Sequence, residues 1–538
     1  MTIIHTHFAG RAVSILLGAM LLSACGSDGP DALHVTQDPV VTLDPNGVTP
    51  LAAVVEMETR GPVSVTLDIS TGGDSRIVKF GAMETSHKIP VLGLLPNTAY
   101  TIEVTIEDSA GNIADITKYS GGLNIITNPL PADFPNIEVH VSNPALMEPG
   151  FTLLDRFARE TDADVLLGRY SIILNSAGQV VWFSPSSNSN MRQLPNGDLM
   201  YRNGQTVIEM TMLGEQVKIV ELADPTMALH HDLTMTSVGT FLSTTKEKVV
   251  FDNYPTNYDD PIPRQVADVR NDPIVEFSAE GDLLNIWRLE DMLDTSRIGY
   301  IGLGERNDEG LDWAHVNAVV YDPSDDSIIA SVRHQDAVIK FDRQTGALKW
   351  ILGPHENWSA EFQQYLLTPI GTPFAWQYHQ HAPMITGDGT IILFDNGNNR
   401  TSPFDGLTPT PDELNYSRAV EYDIDEVNME VTQVWEYGES STPRLFAHFI
   451  GDADWMPTTG NALVHFGGIT YIDGVTPDTI GYGDVIAKIV EVTRDANKTK
   501  VFDVTVSSST PGTRISIYRS ERIPSLYAPG ISDTAITP

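Results

Sequence analysis

A chain of 538 residues has room for two to four domains, and 41% hydrophobic against 19% charged residues describes a core-forming protein, not a disordered one. Lys plus Arg number 33 and Asp plus Glu 71, a formal charge of −38 that makes nucleic acid a poor partner and requires any anion site to be a local cluster of positive groups. The single cysteine, Cys25, excludes an internal disulfide and Cys-rich zinc or iron–sulfur sites, while 42 Gly and 34 Pro suit turn-rich β structure.

At the N-terminus a short polar stretch ending at Arg11 precedes the apolar run Ala12 to Leu22, too short to span a bilayer but shaped like a signal peptide. Leu22-Ser23-Ala24-Cys25 at its end resembles a bacterial lipobox, in which the cysteine is lipidated and becomes the first residue. The expectation is a signal peptide over residues 1–24 and a small polar tether over 25–32, with the rest exported and lipid-anchored at the periplasmic face of a membrane, the outer membrane favoured. No later segment is apolar enough to cross a bilayer.

Residues 33–128 alternate in short β runs such as Val63-Ser64-Val65-Thr66-Leu67-Asp68-Ile69 and Tyr100-Thr101-Ile102-Glu103-Val104-Thr105-Ile106, separated by turns at Gly72-Gly73-Asp74 and Asp108 to Asn112. Length and spacing predict an immunoglobulin- or fibronectin-like β-sandwich, closed off by Pro129, Pro131 and Pro135.

The remainder, 140–538, repeats. Apolar strands end on Trp182, Trp287 and Trp350, each an even number of residues after the glycine of its turn (four from Gly178, six from Gly281, four from Gly346). Even spacing keeps every Trp on one face of its strand. Hairpins turning at Gly197, Gly239, Asp325-Asp326, Gly389 and Gly460 alternate with these. Units fall near 190–222, 229–290, 313–353, 379–438 and 447–506, and a sixth combines Tyr170 to Phe183 with the C-terminal strand Arg514 to Arg519. The fold class is all-β: a sandwich followed by a six-bladed β-propeller closed by both chain ends.

Aligned on their turns, three inner hairpins begin with histidine: His231, His315 and His381. Innermost strands line a propeller's channel, so these imidazoles should meet at one mouth, joined by Lys246, Arg333 and Asn396 from the returning strands. Such a cluster is a local anion site in an acidic protein. Spacing alone leaves His230 or His231, and His379 or His381, facing the site; His334 and His448 carry no repeat logic. A three-histidine zinc site is the competing use, and Arg333 argues against it. No Walker loop, Gly-x-Ser-x-Gly elbow or His-Glu-x-x-His is present, and Gly302-Leu303-Gly304 is only a fragment of a nucleotide loop.

Asp312-Trp313-Ala314-His315-Val316-Asn317, the run Asp325 to Gln335, Gln380-His381-Ala382, and Phe394-Asp395-Asn396-Gly397-Asn398-Asn399-Arg400 together resemble the bacterial arylsulfate sulfotransferase family. The resemblance covers nearly the whole mature chain. It implies an exported enzyme moving a sulfuryl group from an aryl sulfate to a phenol without phosphoadenosine phosphosulfate or any other cofactor. It places the nucleophile at His381 and sulfuryl-binding groups at His231, His315, Asn317 and Arg333. The chain departs from the family in lacking a second cysteine for the disulfide some members carry, and in reading Phe449-Ile450-Gly451-Asp452 where some contribute a hydroxyl from the last blade.

Sulfuryl transfer, like phosphoryl transfer, asks mainly for positioning and charge stabilisation. Neutral His381 would attack sulfur; Arg333, protonated His231 and Asn317 would hold the oxygens; His315 would serve as general acid and then base. The partners expected are a donor aryl sulfate, an acceptor phenol and the membrane tether, with room for a homodimer. The other readings are a non-catalytic secreted propeller binding a sugar or peptide, and a metal-dependent propeller hydrolase or lactonase.

Overall fold

The structure is a computed structural model that describes residues 32–534 except 119–120, 162–165, 186–188, 225–226, 305–308, 478–484 and 509–512. Cys25 and the apolar run before it lie outside the described residues. No helix among the described residues is long and apolar enough to cross a membrane.

The N-terminal immunoglobulin-like domain is built on one long hairpin, Ala53–Thr71 and Asp74–Val91. Gly72 and Gly73 turn it with φ of +57° and +100°, a two-residue turn that a side chain at both positions would strain. Val35–Leu43 pairs with the first half of the Ala53–Thr71 strand and Ala99–Asp108 with its second half. The alternation read in the sequence is a burial alternation: Val63, Val65, Leu67 and Ile69 are buried against Ile102, Val104 and Ile106.

Beyond it, antiparallel sheets of four or more strands follow one another. Their innermost strands touch in a closed cycle: Ser189–Gln193, His230–Met235, Val316–Asp322, His381–Ile385, Asp452–Trp455 and Thr513–Ile523, the last returning to the first. The chain's ends close this β-propeller, since Thr513–Ile523 pairs with Phe151–Thr161. Asn136–Ser142, which begins before the boundary expected at 140, pairs with Lys500–Ser507 on the outer edge of another sheet.

Adjacent sheets are held by the tryptophans. Trp182 is fully buried in the core shared with Leu199 and Tyr201 of the next sheet, donating Nε1–H to the Met212 carbonyl at 2.9 Å. Trp287 packs on Phe341 at 5.6 Å, and Trp350 packs among Leu393 and Val420. Truncating such a residue to Ala costs about 3–5 kcal/mol, so these contacts hold each sheet to the next.

Two additions were not legible as repeats. Between Phe241–Thr244 and Ile274–Phe277 the chain leaves its sheet to form the hairpin Glu247–Pro255 and Arg264–Asn271, whose second strand pairs with Leu311–Asp312 just before the His315 strand. After the propeller closes, the chain returns to the N-terminal domain. Leu526 and Tyr527 enter its core, the Tyr527 hydroxyl accepts from Leu92 N–H at 3.0 Å, and Ser532–Asp533 adds to the sheet edge.

Candidate active site

Each innermost strand that carries a site histidine is irregular at its start. The pairing register breaks between His230 and Leu233, between Val316 and Ala318, and between His381 and Met384. His231, His315 and Ala382 take φ of +54°, +51° and +50°. A bulge re-aims the side chains around it, and a left-handed non-glycine residue costs about 1–2 kcal/mol, so local strain here is spent on aiming imidazoles into the channel.

The bulges decide between the adjacent histidines. His230 is buried and turned away, its Nε2 at 2.9 Å from the Thr245 carbonyl and 3.1 Å from Asp272. His231 faces the site, edge-on to His315 at 4.5 Å between ring centroids. His379 does not share a strand face with His381 as strand parity suggested. It precedes the strand in a bend with φ +54°, and its ring is fully buried between Asp336 at 3.0 Å and the Tyr300 carbonyl at 3.1 Å.

His381 is the best-defined group. Asn396 gives both N–H groups to carbonyls, Ala447 at 2.8 Å and Ile450 at 2.9 Å, so its Oδ1 is an acceptor and lies 2.6 Å from His381 Nδ1. Nδ1 therefore carries the proton and the Nε2 lone pair is the one left for chemistry. Burial, with the charge of Arg333 second, holds His381 well below its ordinary value of 6.5, so it is neutral at pH 7. Asn396, expected to offer a donor to an anion, instead sets this tautomer.

His315 donates Nδ1–H to Asp312 Oδ2 at 2.8 Å. Burial lowers its pKa, with Asp312 pulling the other way. Arg333, 5% exposed, donates from Nη1 to His334 Nε2 at 2.7 Å and from Nη2 to the His448 carbonyl at 3.1 Å. Asn317 is fully buried and donates Nδ2–H to the Gln380 carbonyl at 2.8 Å, tying the His315 and His381 strands together. Sequence reasoning gave His231 a positive charge. Burial and the neighbouring His315 and His230 push it well below 6.5, so it meets an anion as a neutral dipole. Lys246 is drawn to Glu309 at 3.0 Å, and Asp232 is buried between Arg192 at 3.2 Å and Arg519 at 3.1 Å.

Sequence reasoning passed over Asp312, His334 and Tyr518. The Tyr518 hydroxyl lies 3.4 Å from His231 Nδ1, brought there by the strand that closes the propeller. Asp312, His315 and His334 bring ligand atoms within 4.8 Å of one another. That set does not suit a metal: the Arg333 guanidinium donates to one His334 nitrogen, and the other donates to the Asp312 carbonyl at 2.7 Å.

The site is thus a buried cluster with one neutral imidazole whose Nε2 lone pair is open, one carboxylate-backed imidazole and one guanidinium. A profile of the family described as Arylsulfotransferase (ASST) matches residues 136–519, which hold all of these groups, and one described as Arylsulfotransferase Ig-like domain matches residues 40–120. The chain belongs to the arylsulfotransferase family. Two relatives named arylsulfate sulfotransferase AssT bear this out. One, from Escherichia coli O6:H1 strain CFT073, is 24% identical, covering 93% of this chain and 95% of its own. The other, from Lelliottia amnigena, is 24% identical over 79% of this chain and 84% of its own. Among solved structures, the β-propeller domain of Myceliophteria thermophila Cps50 (Swd1) aligns with 67% of this chain and 94% of its own at 9% identity and a TM-score of 0.32, and adds nothing to the topology above.

Proposed function

We propose that this family member moves a sulfuryl group from an aryl sulfate to a phenol in two steps, through a sulfohistidine at His381. The observation that carries the reading is the Asn396–His381 pair, which leaves an unprotonated Nε2 within the field of Arg333. In the first step Nε2 bonds to sulfur as the S–O bond to the aryl oxygen breaks, and protonated His315 gives its Nε2 proton to the leaving phenolate. In the second, neutral His315 takes the proton of the acceptor phenol, whose oxygen attacks sulfur and releases His381. A phenol has a pKa near ~10, so each half gains from that proton transfer at neutral pH. Arg333 balances the charge of the sulfuryl oxygens, and the second N–H of Asn317 and the His231 ring are the neutral donors beside it.

Two-substrate kinetics with an aryl sulfate and a phenol test this. Parallel double-reciprocal lines support the covalent route; intersecting lines overturn it in favour of direct transfer. The apolar run Ala12 to Leu22, with the lipobox-like Leu22-Ser23-Ala24-Cys25 at its end, further supports export and lipid tethering at a periplasmic membrane face. Cys25→Ala should release the protein from the membrane fraction or leave it unprocessed with its signal peptide uncleaved; a variant that is processed and fractionates as the wild type does would refute the tether.

A further inference from the structure

Arg333 and His315, the two polar groups that the proposed reaction asks most of, are both mounted on one residue outside the reacting set. The Asp312 carboxylate accepts His315 Nδ1–H at 2.8 Å, and the Asp312 backbone carbonyl accepts His334 Nδ1–H at 2.7 Å. Because a carbonyl only accepts, His334 carries its proton on Nδ1, and its Nε2 lone pair receives Arg333 Nη1–H at 2.7 Å. The two rings stack at 4.4 Å with 25° between planes, so both arms leave Asp312 side by side.

The mount itself is fixed. Asp312 is 1% exposed and its N–H donates to the Gly304 carbonyl at 3.1 Å, which gives the Gly302-Leu303-Gly304 turn a structural purpose. The strand Leu311–Asp312 pairs in parallel with Val269 and Arg270, and the next residue, Trp313, is fully buried and donates to the Arg297 carbonyl at 2.9 Å.

We propose that Asp312 is the positioning residue of this site: its carboxylate sets the tautomer of His315, and its carbonyl, through a permanently neutral His334, aims Arg333. This rests on the sulfuryl-transfer reading for its kinetic consequences, though not for the tautomers. A carboxylate behind an imidazole fixes which nitrogen faces the substrate and supports the charged ring. His334 cannot share that charge, since a proton on Nε2 would face the guanidinium. The charged and titratable groups around the two rings are Asp312, Asp272, Arg333, His231, His379 and His381.

Nitrogen-15 NMR of histidine-labelled protein at pH 8 tests the geometry without reference to activity. The wild type should show His315 and His334 both as Nδ1–H tautomers. In Asp312→Ala, which takes away the acceptor of His315 Nδ1–H altogether, His315 should lose its Nδ1–H preference while His334, held by the unaltered carbonyl, keeps its own. The kinetic arm uses folded variants. Asp312→Asn should lower kcat by about 10²–10⁴-fold, as in other histidines deprived of their carboxylate, and remove the pH dependence assigned to His315. His334→Phe keeps the stacking but loses the bond to Arg333, and should raise the donor KM about tenfold with a smaller change in kcat. His334→Gln, which has both a donor and an acceptor, should restore it. Wild-type His315 found as the Nε2–H tautomer would overturn the proposal even if the Asp312 variants did not fold, as would an unchanged donor KM in His334→Phe. A wild type correct in its tautomers but inactive on aryl sulfates would refute the functional reading and leave the positioning role standing.

Discussion

Asn396 Oδ1 lies 2.6 Å from Nδ1 of His381, and both N–H groups of the same amide are held by backbone carbonyls. That second pair of bonds prevents the amide from turning over, so the imidazole has one tautomer and presents one nitrogen. Asn396→Asp replaces a neutral acceptor by an anion and should raise the pKa of His381. The attacking form is neutral, so kcat/KM for a nitrophenyl sulfate donor, whose leaving group needs no proton, should then fall on the acid side, between about pH 6 and 7.5, where the wild type stays level. An unshifted acid limb would show that His381 is not the attacking group.

His315 predicts a pH dependence that depends on the leaving group. Its pKa is held below 6.5 by burial, so its protonated form is lost as pH rises through that lowered value. The donor kcat/KM for an unactivated aryl sulfate should decline from about pH 6 to 8. For a nitrophenyl sulfate, whose leaving group needs no proton, it should hardly change. His315→Asn should abolish the difference; parallel profiles for the two donors in the wild type would exclude His315 as the acid.

Arg333→Gln keeps the size of the side chain and removes its charge. The expected loss is about 10²–10³ in kcat, corresponding to roughly 2.7–4 kcal/mol for a preorganised donor to developing charge. Single-turnover measurement should still show slow sulfuryl transfer to the enzyme. A loss under threefold would mean that the sulfuryl oxygens are neutralised elsewhere.

The fold was legible because its signals are periodic and local: even Gly-to-Trp spacing, alternating strands and turn glycines each report on a few adjacent residues. The site was legible only as far as that periodicity reached. His231, His315 and His381 share a place in the repeat and do come together. Strand parity misled at His379, because the bulges that aim the site histidines break the alternation on which parity depends. The charge of His231 was misread because burial, which decides it, is a property of the closed ring and not of neighbouring residues. Asp312 and His334 could not be found by repeat logic. One acts partly through a backbone carbonyl, and Tyr518 arrives from the far end of the chain to close the propeller.

His379 separates structural from chemical histidines. Its fully buried ring is the partner of the equally buried Asp336. His379→Ala keeps the backbone N–H that bonds Asp336 but removes the ring from the Tyr300 carbonyl at 3.1 Å, and should destabilise the protein by about 1–3 kcal/mol in denaturant unfolding, the cost of leaving that carbonyl unpaired. At temperatures where the variant is folded, its pH–rate profile should match the wild type. A displaced profile would give His379 a part in the chemistry.

The covalent step is the centre of the account, and one measurement addresses it directly: mass spectrometry of enzyme mixed with an aryl sulfate and no acceptor, then quenched. The account predicts a single sulfuryl group on the peptide containing Gln380-His381-Ala382, discharged by added phenol and absent from His381→Ala. A label on the peptide of His231 or His315, or unlabelled enzyme while transfer to phenol runs at full rate, would contradict it.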